Sequence, residues 1–233
     1  MRISARKIER TFFRKTGQAN FFYAVKETDF TLLEGNITGI IGRSGSGKTT
    51  FINMLCGLLR PTSGSIEVDG VDFITLDDDS ASLLRNRKFG IIPQSQTPIQ
   101  SFSVIENVMA PAFIYKSDLS REEVYNRAIS LLSRLGIESL EDEYPSQLSG
   151  GELRRMAIAR ALINDPEIII ADEPTSDLDD KSTDAVLNLM RELAGEGKSV
   201  LIVTHDRDAE KICDVIYKMD GGVLKKDTET ASK

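Results

Sequence analysis

Residues Gly42-Arg43-Ser44-Gly45-Ser46-Gly47-Lys48-Thr49 combine three glycines, a lysine and hydroxyl side chains at a spacing suited to holding a chain of phosphates. The glycines let backbone N–H groups turn inward around phosphate oxygens with no Cβ in the way. A helix starting at Lys48 would add the partial positive charge of its N-terminus. Lys48 supplies a full charge, the Thr49 hydroxyl can ligate Mg²⁺, and Thr50 is the next residue able to reach the same phosphates. A glycine-rich turn can match this pattern by chance, so its context decides.

Two further stretches could act on the same substrate. Asp172 and Glu173 end the apolar run Ile168 to Ala171, which puts both carboxylates at the carboxyl end of a buried strand, where ligands of open α/β sheets collect. This position suits Asp172 for Mg²⁺ through water, and Glu173 for the attacking water as general base or orienter. Ser149, Gly150, Gly151 and Glu152 follow Leu148 and open a segment carrying Arg154, Arg155 and Arg160. A serine and two glycines at a helix start form another phosphate cradle, although the same residues also occur in linkers.

The elements needed to place these groups are visible in the pattern. Ile37 to Ile41 reads as a strand entering the glycine-rich loop, with a helix through Phe51 to Leu55 leaving it. Phe21 to Leu33 reads as an extended segment closed at Glu34-Gly35-Asn36, an antiparallel edge before the central sheet, and Pro61, Ser63 and Gly64 read as the end of the first helical region. Ile66 to Val68 is a short strand turning at Asp69-Gly70. Ser103 with Glu106 and Ser120 with Glu123 have capping-box spacing, and the second opens a helix with Val124, Ala128, Leu131, Leu132 and Leu135 on one face before Gly136. A third helix runs through Leu153 to Ile163. Strands over 168–171 and 200–203 flank a helix over about Lys181 to Leu193, and Val215 to Leu224 reads as a hairpin followed by a polar tail. The fold class is α/β, a nucleotide-binding core interrupted by a helical insertion.

The formal charge of −7 argues against a nucleic-acid surface, so no nucleic-acid partner is expected. Cys56 and Cys213 have no metal-ligand or CxxC spacing and read as two buried free thiols in a reducing compartment. No apolar stretch approaches the roughly 20 residues needed to cross a bilayer, and no signal-peptide core follows the charged N-terminus. A cytoplasmic protein is expected, held at any membrane by something else.

In order and identity, the glycine-rich loop, Leu148 to Glu152 and the Asp172-Glu173 strand end resemble the ABC ATPases, from about Ile3 to Leu224. The resemblance implies a P-loop NTPase (RecA-like) core with an antiparallel β edge and a helical insertion. Its expected divisions are 1–95 and 164–225 for the core, 96–163 for the helical part and 226–233 for the tail. It further implies that Gln94 senses Mg²⁺ and the membrane partner, that Asp179 in the Ser176 to Asp179 loop takes part at the nucleotide, and that His205, before Asp206, contacts the γ-phosphate. An aromatic residue near the N-terminus is expected to stack on adenine: Phe12, with Phe13, Phe22 and Tyr23 as alternatives. Pro93 departs from the aromatic or aliphatic residue expected before Gln94.

By the same resemblance, two copies pair head to tail around two ATP, each completing the other's site with its Ser149 helix start, and drive a permease carried on another polypeptide. Leu59 to Gly64, Glu106 to Val108 with Pro111, and Ile158 to Leu162 look like the bacterial lipoprotein-release and macrolide-export group. Phe102, Val104, Ile105, Val108, Met109, Phe113 and Ile114 are expected to divide between core and a groove for the permease. A division regulator acting on wall hydrolases and an iron–sulfur assembly ATPase are the alternative functions. A chromosome-maintenance ATPase is excluded, since too few residues separate Lys48 from Ser149 for a long coiled coil.

Overall fold

The computed structural model describes residues 2–13, 21–115, 119–205 and 207–227. Strand β1 (Ile3–Phe13) pairs antiparallel with β2 (Phe21–Leu32), and β3 (Ile37–Ile41) then leads through the glycine-rich loop into α1 (Lys48–Leu55). The hairpin of β4 (Ser63–Val68) and β5 (Val71–Asp72) follows, then α2 (Asp78–Lys88) and the short β6 (Phe89–Ile92). Helices α3 (Val104–Met109), α4 (Arg121–Arg134) and α5 (Gly150–Leu162) come next. The chain closes with β7 (Ile168–Asp172), α6 (Asp180–Gly195), β8 (Ser199–Thr204), α7 (Arg207–Lys211), β9 (Val215–Asp220) and β10 (Val223–Lys226).

Two sheets result. The first is antiparallel, in the order β2-β1-β4-β5; the second runs β10-β9-β3-β8-β7-β6 and is parallel except for the β9–β10 hairpin. Strands β7 and β8 are buried at every position, as expected of parallel strands covered on both faces. Their side chains alternate between two cores. Ile168, Ile170, Leu201 and Val203 pack with Phe51, Met54, Phe30 and Ile66 on the side of α1 and the antiparallel sheet. Ile169, Ala171, Val200 and Ile202 pack with Val108, Leu132, Met156 and Met190 on the helical side.

Local chemistry sets the helix starts. The Ser103–Glu106 and Ser120–Glu123 capping boxes both form, and Ser149–Glu152 makes a third at the head of α5. Several sequence expectations need correction. The antiparallel segment is a separate four-stranded sheet and not an edge of the central one. Ser63 and Gly64 begin β4 and do not end a helix; Gly64 has φ +90°, and a Cβ there would lie 2.4 Å from the Lys7 carbonyl oxygen. Cys56 is buried but Cys213 is only partly so, and both are free. Lys225 and Lys226 belong to β10, while 228–233 of the expected tail lie outside the described residues. Strands β1, β5 and β6 and helices α2 and α7 were not anticipated.

Candidate functional site

The loop from Gly42 to Gly47 joins β3 to α1 and forms one wall of a cavity of about 730 Å³. Its glycines are required by geometry. Gly47 has φ +109°, and a Cβ there would sit 2.2 Å from the Ala24 carbonyl oxygen; at Gly42 it would sit 2.3 Å from that of Met219. Gly45, at φ +77°, faces open space. The loop is also tied to the last hairpin, Gly222 N–H donating to the Ser46 carbonyl at 2.9 Å. The Ser46 hydroxyl is buried with no partner among the described residues. Arg43, Ser44, Lys48, Thr49 and Thr50 all border the cavity. Lys48 Nζ donates to the Gly42 and Arg43 carbonyls at 2.6 and 3.0 Å, which curls the loop about its own lysine.

Across the cavity stand the ends of the neighbouring strands. Asp172 closes β7, and its Oδ2 accepts from Thr49 Oγ1 at 3.2 Å. Burial pushes the Asp172 carboxyl above its ordinary range, and the adjacent Glu173 pushes the same way, against the Thr49 hydrogen bond and the charges of Lys48 and Arg154. Glu173 is 7% exposed and takes φ +52°, a left-handed conformation that turns its side chain off the strand and toward the cavity. Its carboxylate is held at both oxygens: Thr204 Oγ1 donates to Oε2 at 3.0 Å and His205 Nδ1 lies 2.7 Å from Oε1. A carboxylate only accepts, so this geometry places the proton on His205 Nδ1 and leaves Nε2 for another partner. Gln94, just beyond β6, completes this side of the cavity. Asp206 lies outside the described residues.

The oxygen-rich set of Thr49, Asp172 and Gln94 suits a hard, octahedral ion such as Mg²⁺ that takes its remaining ligands from phosphate and water. Among the described residues no group of three or more His, Cys, Asp or Glu converges on a point, so a fully protein-built metal cage is not what these residues offer.

At the far end of the cavity, Phe12 and Phe22 are stacked, with ring centroids 5.8 Å apart, and the Arg10 guanidinium lies 4.7 Å over Phe12. They are cross-strand partners and therefore share a face. Phe13, on the opposite face, is 82% exposed and does not line the cavity. Phe12, Phe22 and Tyr23 thus line this end of the cavity, and Phe13 does not.

The remaining sequence candidates lie elsewhere. Ser149, Gly150, Gly151 and Glu152 form the head of α5, outside the cavity of their own chain. Ser149 Oγ accepts from Glu152 N–H at 3.3 Å, while the Ser149 hydroxyl and its backbone N–H each donate to Glu152 Oε2 at 2.7 Å and hold the Glu152 carboxyl below its usual range. Asp179 caps α6, accepting from Ser182 N–H at 2.7 Å. Thr204, the Gly221-Gly222 turn and Arg154 were missed as contributors. Nothing in the pattern marks Thr204 apart from its place beside His205, and Arg154 reads like the other two arginines of its helix.

Residues 25–176 match the ABC transporter family. The lipoprotein-releasing system ATP-binding protein LolD of Buchnera aphidicola is 41% identical over 207 residues, covering 88% of this chain and 90% of LolD. The macrolide export ATP-binding/permease protein MacB of Rhodopseudomonas palustris is 41% identical over 90% of this chain, which spans only 32% of MacB. The methionine import ATP-binding protein MetN 1 of Acinetobacter baylyi is 39% identical over 95% of this chain and 61% of its own length. Among solved structures, a dimeric ATP-binding cassette in a post-hydrolysis state, bound to ADP and Pi, superposes with TM-score 0.90 at 35% identity over 97% of both chains. The loop, the carboxylate pair and this likeness agree: the chain belongs to the ABC transporter family and is an ATPase with the P-loop NTPase fold.

Proposed function

We propose that two copies of this chain close head to tail on two ATP and thereby drive a separate membrane permease that extracts or exports a lipoprotein, peptide or drug. The site residues would divide as follows. Gly42 to Thr50 hold the phosphates, with Lys48 countering charge at the γ-phosphate, and Phe12 stacks on adenine. Thr49, Asp172 and Gln94 hold Mg²⁺, which supplies electrophilic stabilisation of the phosphoryl oxygens. Glu173 takes or orients the proton of the attacking water, held in place by Thr204 and His205. His205 Nε2 remains for the γ-phosphate. Ser149 to Glu152, with Asp179, would meet the nucleotide of the partner copy, because they lie outside their own chain's cavity. The working division is a core of 1–95 and 164–225 and a helical part of 96–163.

The single observation carrying the permease reading is a groove on the helical part. It is lined by Phe102, Met109, Ala110, Phe113 and Ile114, with Glu106 and Arg121 at its margin, and encloses about 590 Å³. Val104, Ile105, Val108 and Met109 are buried, whereas Phe113 and Ile114 remain 51% and 67% exposed. Two large apolar side chains left beside a groove mark a docking surface. No helix of the described residues is long and apolar enough to cross a membrane, so the membrane-spanning part would come from the partner.

The test is mass spectrometry of what stays with tagged Glu173→Gln protein in gently solubilised native membranes, with Mg-ATP and without nucleotide. Nucleotide-dependent recovery of a polytopic membrane protein with a large extracytoplasmic domain is expected. Recovery of a cytosolic scaffold alone would overturn the permease reading.

A further inference from the structure

Arg154 is the largest fully buried side chain among the described residues, at 1% exposure. It lies on α5, roughly one and a half turns beyond Ser149. Its guanidinium donates from Nη1 to the Pro93 carbonyl at 2.7 Å, and from Nη2 to the Gln94 carbonyl and to Ser176 Oγ, each at 2.7 Å. The two carbonyls flank the Cα of Gln94, so the backbone on both sides of that residue is tied to α5. Ser176 Oγ donates onward to the Glu173 carbonyl at 3.0 Å. One side chain therefore joins the helix headed by Ser149 to the residue that borders the metal position and to the residue that faces the attacking water.

Packing alone is a poor account of this arrangement. A guanidinium is costly to bury, and an apolar side chain of similar volume would hold α5 to the sheet at less cost. None of its hydrogen-bond acceptors is charged. Burial pulls the Arg154 pKa down, while Asp177, Asp172 and Glu173 act against that pull. What arginine offers that an apolar residue lacks is a rigid planar fork able to fix several acceptors at once.

We infer that Arg154 is a positioning residue that makes the Ser149 end of α5, the Gln94 backbone and the Glu173 turn move as one unit, so that closure on a partner's nucleotide sets the catalytic groups. The inference rests on the paired-ATPase reading above.

The test uses full-length Glu173→Gln protein as parent, with Arg154→Gln or Arg154→Lys added. Nucleotide binding to the single chain is followed with a fluorescent ATP analogue, and pairing in Mg-ATP by analytical ultracentrifugation. Single-chain binding is expected to change by less than about twofold, while the pairing Kd rises about tenfold or more, as for losing charge-assisted hydrogen bonds. Lysine should not rescue, because a point charge cannot span the three acceptors. A mere packing role would lower the folded fraction and leave the pairing Kd of the folded protein unchanged. Ser176→Ala removes one arm of the fork without touching α5, so it decides the matter if the Arg154 variants do not fold. A smaller shift in the same direction supports the inference. Parental pairing in Ser176→Ala, or in the folded Arg154 variants, overturns it. A parent that does not pair in Mg-ATP overturns the paired reading and this inference with it.

Discussion

Glu173 sits in a conformation that only its surroundings make tolerable. A non-glycine residue at φ +52° is costly on its own, yet Glu173 N–H bonds the Val203 carbonyl at 2.8 Å and both carboxylate oxygens are held. Glu173→Gln keeps the shape and removes the base, so ATP should still bind while phosphate release slows by about a hundredfold or more. Near-normal turnover would move the role to another residue. Asp172 allows a different test. Its folded-state pKa is raised, so folding disfavours its charged form; the penalty is fully present above the folded value and vanishes below the ordinary carboxylate range. Asp172→Asn should therefore raise the melting temperature at pH 7 in EDTA while eliminating Mg-dependent turnover, and a lowered melting temperature would contradict that sign. These two residues were legible in the sequence because an apolar strand ending in acids is local information. Thr204 and Arg154 were not, since their roles depend on groups brought together only by the fold.

Among the elements, α5 carries the clearest demand. Its head is capped by its own Ser149 and Glu152 and stays clear of the cavity behind Lys48. Ser149→Arg should leave ATP binding by a single chain intact and block pairing, read by size-exclusion chromatography of the hydrolysis-slow protein in Mg-ATP; a nucleotide-induced dimer would argue against a shared site. The helices announced by capping boxes were readable, because the signal spans four residues. Three of the elements not anticipated, β1, α2 and β6, share a different property, a weak period. Strand β1 shifts register against β2 between Ala5 and Ile8, between Ile8 and Arg10 and between Arg10 and Thr11, which breaks strict alternation. Helix α2 buries only Ala81 and so shows no apolar stripe. Strand β6 is four residues long and contains Gly90, whose missing side chain admits the Ala161 carbonyl and Pro166.

On the scale of the whole molecule, Gln94 borders the cavity and Phe102 lines the apolar groove, so the short segment between β6 and α3 reaches from one to the other. Phe113→Glu places a charge in the groove and should cut recovery of the membrane partner by about tenfold, as for a hot-spot residue. Undiminished recovery would move the docking surface elsewhere. The overall α/β architecture was readable from the sequence, but the division into two sheets was not, because strand partners far apart in the chain leave no local mark. The tie between the glycine-rich loop and the β9–β10 turn, where Gly222 bonds Ser46 and Met219 abuts Gly42, has a consequence during biosynthesis. The loop leaves the ribosome well before the strands that shape it. At roughly 5–20 residues per second, the delay is on the order of ten seconds. Throughout that interval a nascent chain carries every residue of its phosphate-binding motif and still lacks the turn that bonds Ser46, so the loop acquires its last backbone hydrogen bond only once the final hairpin has closed.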